Sequence, residues 1–145
     1  LTAVTEEDFA ATFDVNARGT FFALQEAARR VREGGRIISI STGATVGGSP
    51  YASIYCGSKA AVEQFTRSLA KEIGGRNVTV NVVSPGFTDT EMLAQHPQFK
   101  ALGPSLSPFG RLGTPAEVAD VVVFLAGDGA RWITGQNIQA GGGAA

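Results

Sequence analysis

The chain has 145 residues, enough for one domain with a real core, since a chain of this length buries roughly two-thirds of the surface it exposes when unfolded. Its 12 Lys and Arg against 13 Asp and Glu leave a net charge of −1, with no basic run to neutralise phosphates, which excludes nucleic acid as a partner. One cysteine and one histidine exclude a disulfide framework and a multi-Cys or His-cluster metal site, and no apolar run approaches the ~18 residues that span a bilayer, so a metal-free, soluble, cytoplasmic protein is expected.

Leu1, not methionine, opens the chain directly before a helix start, which reads as the interior of a longer protein. Thr5 followed by Glu6, Glu7 and Asp8 is an N-cap with an acidic first turn, the arrangement the helix dipole favours. Phe9, Phe13, Phe21, Leu24, Ala27, Ala28 and Val31 continue at mostly helical spacing, with Asn16 and Gly19 marking a bend and Gly34-Gly35 ending the segment. Arg36 to Ser41 is short, apolar and β-branched and predicts a strand; the glycines from Gly43 to Gly48 and Pro50 predict a loop. From about Ser53 to Ile73 the apolar residues Ala61, Phe65, Leu69 and Ile73 recur every fourth position, predicting a long helix closed by Gly74-Gly75.

Val78 to Val83 predicts an interior strand, stopped by Ser84-Pro85-Gly86. Residues 87–112 carry three prolines and weak periodicity, which suggests a partly helical excursion of the kind used as a lid over substrate. Thr114-Pro115-Ala116-Glu117 is a helix opening with N-cap threonine, proline at the first position and glutamate at the third; Val118, Val121, Val122 and Leu125 follow. A short last strand is expected around Asn137 to Gln139, and Trp132 is expected to pack it against its neighbours. The alternation of helix and strand predicts an α/β fold with a doubly wound parallel sheet, whose ligands sit beyond the carboxyl ends of the strands.

Tyr55 and Lys59 stand four apart in the long helix, so about 400° of rotation brings them to one face, a turn apart. A phenol is a poor proton carrier at neutral pH, and a neighbouring ammonium favours its ionised form, which suits Tyr55 to general acid–base work. Thr42 precedes Tyr55 by thirteen residues, at the end of the first strand, with Ser41 immediately before it. Strand alternation sends those two side chains to opposite faces, so only one can hold a substrate oxygen; register favours Thr42 over Ser41. The bland alternative is a pair of hydroxyls capping the turn.

These residues resemble the C-terminal part of the short-chain dehydrogenase/reductase family, over essentially the whole chain. The resemblance implies a Rossmann-like domain, incomplete at the N-terminus, of which residues 1–145 form the C-terminal part. It implies catalytic roles for Asn16, Thr42 (or Ser41), Tyr55 and Lys59, with Lys59 also holding a ribose hydroxyl. It further implies that Pro85, Gly86, Thr88 and Thr90 lie against the nicotinamide end of NAD or NADP, undetermined which, and that the protein forms a dimer or tetramer. The expected activity is interconversion of a ketone or aldehyde and a secondary alcohol. The family's usual serine is Thr42 here.

No GxGxxG appears; Gly43 to Gly48 follows a strand, yet Ser49-Pro50 intervenes before the long helix, which argues against a pyrophosphate loop. The adenosine half of the cofactor therefore has no site in these residues, and a catalytically inactive scaffold is the competing reading. Cys56 reads as a small buried apolar residue and His96 as a loop residue.

Overall fold

The computed structural model describes residues 1–144. Three parallel strands, β1 (Arg36–Ile40), β2 (Thr79–Pro85) and β3 (Asn137–Ala140), lie side by side in chain order, with β2 central. Parallel neighbours need crossovers, and helices supply them. The long helix α4 (Ser53–Ile73) joins β1 to β2, and α7 (Pro115–Ala126) precedes β3. Residues Thr79 to Ser84 are buried on both faces, which is why β2 reads as an almost unbroken β-branched run.

The helices divide between the two faces. On one side Leu24, from α2 (Thr20–Arg30), packs with Ile37, Ala70, Val78 and Val80, and Phe65, Leu69 and Ile73 of α4 close over them. On the other, Val83, Leu125 and Ala130 are fully covered, with Ile38, Val118, Val121, Val122 and Ile138 around them. Each fully buried valine or leucine among them contributes roughly 1.5–3 kcal/mol relative to exposure. Periodicity in α4 and α7 had marked these same positions, so the doubly wound architecture follows directly from the pattern.

Ahead of the sheet, α1 (Glu6–Phe13) opens with a capping box in which Thr5 and Asp8 satisfy each other's backbone N–H groups. The bend expected at Asn16 and Gly19 is a π-helical stretch, Asp14–Gly19, between α1 and α2. A wider turn of this type changes the direction of the side chains beyond it and is common at functional sites. The loop after β1 contains one short helix, α3 (Ala44–Gly47), which sequence pattern alone does not reveal.

The excursion of residues 87–112 holds α5 (Glu91–Ala94) and α6 (Pro97–Leu106). Its ends meet: Asp89 donates its N–H to the carbonyl of Gly113 at 2.9 Å, and Gly113 donates to Phe87 at 2.9 Å. The helix start read at Thr114 is present as a second complete capping box with Glu117. Trp132 is a correction. It is 96% exposed instead of packing β3, because the tight turn Asp128–Ala130 turns Ala130 and Ile133 inward and leaves Arg131 and Trp132 between them facing outward.

Candidate active site

The register places the exits of β1 and β2 beside each other, Ile40 opposite Val83. The pairing runs on past the strand, since Ser41 donates its N–H to Val83 at 2.9 Å and Gly43 donates to Pro85 at 2.8 Å. Thr42 is thereby held between two backbone hydrogen bonds at the sheet's carboxyl edge, next to Pro85-Gly86. Strand alternation separates the two hydroxyls as expected. Ser41 is buried toward α4, and its Oγ donates to Oε1 of Glu63 at 2.7 Å. Thr42 is half-buried; its Oγ1 accepts from the N–H of Ala44 at 3.3 Å, and its own hydrogen is committed to no partner among the described residues.

Tyr55 lies in the first turn of α4, with about a third of its surface exposed and its phenol free of protein partners among the described residues. One turn further, Lys59 is half-buried, and its Nζ donates to the carbonyl of Ile40 at 3.2 Å. This contact ties the helix carrying Tyr55 to the tip of the strand carrying Thr42. Burial lowers the pKa of the Lys59 ammonium from its ordinary value. An ammonium has three hydrogens, so two remain for a ligand.

Asn16 reaches the same helix from the π-helical stretch: its Nδ2 donates to Oγ of Ser58 at 3.1 Å, and Ser58 donates to the carbonyl of Tyr55 at 2.8 Å. Ser58 is fully buried and was not singled out by sequence. Glu63 was missed as well, although Tyr55, Lys59 and Glu63 form an i, i+4, i+8 row that could have marked it. Thr88 donates its hydroxyl to the carbonyl of Gly86 at 3.1 Å, and Thr90 caps α5 by accepting from Leu93 at 3.3 Å. Both threonines thus have local partners at the start of the excursion.

A cleft of about 210 Å³ lies between the excursion and β3, lined by Phe87, Gly103, Phe109, Val121 and Gly142 among others. Thr42, Tyr55 and Lys59 do not line it. Among the described residues no helix is long and apolar enough to cross a membrane, and no cluster of His, Cys, Asp and Glu is placed to hold a metal ion. Chemically, Lys59 brings a half-buried ammonium to the strand end that precedes Thr42 and its free alcohol hydrogen, and Tyr55 carries a phenol one turn earlier on the same helix.

A family model of the short-chain dehydrogenase type, described as enoyl-(acyl carrier protein) reductase, matches residues 1–145. The chain belongs to the short-chain dehydrogenase/reductase family. Within this oxidoreductase family it is 43% identical to versicolorin reductase stcU of Emericella nidulans over 155 residues, covering 97% of this chain and 59% of that protein. It is also 43% identical, over 141 residues, to a chloroplastic NADPH-dependent aldehyde reductase-like protein of Arabidopsis thaliana, covering 94% of this chain and 52% of that protein. Among solved structures, the angucycline C-6 ketoreductase LanV with bound NADP superposes with a TM-score of 0.94 at 44% identity, over 99% of this chain and 56% of that one. The chain therefore spans little more than half the length of the family members it matches.

Proposed function

We propose that this chain carries the catalytic half of a carbonyl reductase that interconverts a ketone or aldehyde and the corresponding secondary or primary alcohol with a nicotinamide dinucleotide. The observation that carries the reading is the contact between Lys59 and the Ile40 carbonyl, which sets the Tyr55–Lys59 row of α4 against the strand end bearing Thr42. The names of the relatives, reductase and ketoreductase, support the direction of the reaction, and the NADP in LanV supports NADP over NAD. When bound, the dinucleotide supplies the hydride.

The donor set fits the ribose and nicotinamide end of such a molecule: two hydrogens of Lys59 suit ribose hydroxyls, and the phenol of Tyr55 stands one turn away on the same helix. Thr42 donates its uncommitted hydrogen to the carbonyl oxygen and fixes its position. Tyr55 passes its phenolic proton to that oxygen as charge develops there, and the charge of Lys59 favours the phenolate left behind. Asn16, anchored through Ser58 to the Tyr55 carbonyl, holds the π-helical stretch against the first turn of α4 and keeps the tyrosine in place. Ser41 is not the oxygen's partner in this reading, since its hydrogen is engaged by Glu63.

The test is Tyr55→Phe in the full-length protein. A general acid–base of this kind contributes about 10²–10⁴-fold, so turnover falls by that factor while the dinucleotide still binds. Near-normal turnover rejects the assignment.

A further inference from the structure

We infer that Glu63 is a positioning residue: its buried carboxylate gathers the turn after β1 from both sides of Thr42 and holds that hydroxyl in register with Tyr55. The inference rests on the carbonyl-reductase reading and adds a group to it. Glu63 is 7% exposed, an unusual setting for a glutamate, and burial of a carboxylate is tolerated only where hydrogen bonds replace water. Its Oε1 has two such partners. Ser41 Oγ donates at 2.7 Å from one side of Thr42, and Thr45 Oγ1 lies at 2.7 Å on the other.

Thr45 also stands 2.9 Å from the carbonyl of Thr42 itself, so its single hydroxyl hydrogen is shared between that carbonyl and the carboxylate. The second oxygen, Oε2, has a half-exposed Arg67 guanidinium at 4.0 Å. Charge-assisted hydrogen bonds are the strong ones, and both at Oε1 run from the β1 exit to α4. Glu63 sits four residues beyond Lys59 and eight beyond Tyr55 on that helix, so the carboxylate is the far end of a row whose near end performs the proton exchange. Lys59 pins the strand through the Ile40 carbonyl, just before the hydroxyl pair, and Glu63 pins the residues flanking Thr42. Between these two anchors the backbone that carries Thr42 has little freedom to move. Glutamine at position 63 keeps an oxygen acceptor there, whereas methionine keeps the volume and removes it.

The experiment is a double-mutant cycle in the full-length enzyme, with Tyr55→Phe measured alongside. Glu63→Met is expected to lower kcat by about 10- to 100-fold, the size of effect that small misplacement of a reacting group produces, with KM for the dinucleotide unchanged. Glu63→Gln should recover most of that loss. In a Thr42→Ala background Glu63→Met should cost almost nothing further, because the hydroxyl it positions is gone. A merely structural glutamate gives the same fold-loss in both backgrounds, and that additivity overturns the inference, as does an unchanged kcat in Glu63→Met. If Glu63→Met does not fold, Thr45→Val in the same two backgrounds gives the same decision from the other side of the contact. Turnover surviving Tyr55→Phe sinks the reductase reading itself, whereas its loss combined with additive Glu63 effects sinks only the positioning role.

Discussion

Gly86 and Gly141 pack backbone to backbone: a Cβ on Gly86 would lie 2.7 Å from the Cα of Gly141 and 2.9 Å from its carbonyl oxygen. The contact joins the exit of β2 to the segment after β3, so the glycines at both places have one steric cause. Gly86→Ala forces main chain apart on both sides and should cost about 1–3 kcal/mol, as overpacking does. Gly141→Ala meets Gly86 at 3.3 Å and should cost less. Calorimetric melting of the two full-length variants checks the ranking; equal melting temperatures would show that the exits separate freely.

Asn81 is fully buried in β2 and bridges the segment that leads into β3, donating to the carbonyl of Ile133 at 2.8 Å and accepting from the N–H of Gln136 at 3.0 Å. Asn81→Leu leaves both backbone groups without partners, at about 1–3 kcal/mol each. Denaturant unfolding should show a lower midpoint with an unchanged slope.

Glu117 is held down to about 2 by the paired guanidinium of Arg111, with the N–H and hydroxyl of Thr114 adding to it. The folded pKa lies below the ordinary glutamate value of 4.5, so the carboxylate's contribution to stability is complete above that value. It is lost as pH falls toward the folded pKa. Glu117→Gln never has it. The gap in melting temperature between the two proteins should therefore be constant at neutral pH and close between about pH 4.5 and pH 2, more weakly in high salt because the pair is exposed.

Thr42→Ala should lower kcat by about 10²–10³-fold, the loss seen when a donor to a reacting oxygen is removed, while Thr42→Ser keeps the hydroxyl and most of the rate. Ser41→Ala removes a donor to Glu63 and to the Lys59 carbonyl and should cost less. Steady-state kinetics on the three variants decides the assignment, and a larger loss in Ser41→Ala reverses it.

What could be read from the chain was what neighbouring residues enforce. The capping boxes at Thr5 and Thr114 depend on residues three apart, and the apolar rows of α4 and α7 on one helical period, so both were legible. That Ser41 and Thr42 turn to opposite sides could be argued from strand alternation, but the partner Ser41 meets there, Glu63, lies twenty-two residues away, and no local pattern places that carboxylate opposite the strand. The π-helical stretch at Asn16 showed only as a broken period, since the extra residue in its turn is fixed by packing on α4 through Ser58. Trp132 was expected to pack the last strand, but the turn at Asp128–Ala130, which no pattern around Trp132 announces, sets which of its neighbours face the core.

The clasp between Phe87, Asp89 and Gly113 means that the excursion begins and ends at nearly one point, between the exit of β2 and the start of α7. Apart from the contact of Ser107 with the Gly142 carbonyl, the cost of changing the length between these points is small, because the entropy of closing a loop rises only slowly with its size. Changes of length or sequence in residues 90–112 therefore leave the backbone pairing at Phe87, Asp89 and Gly113 free to form as it does now.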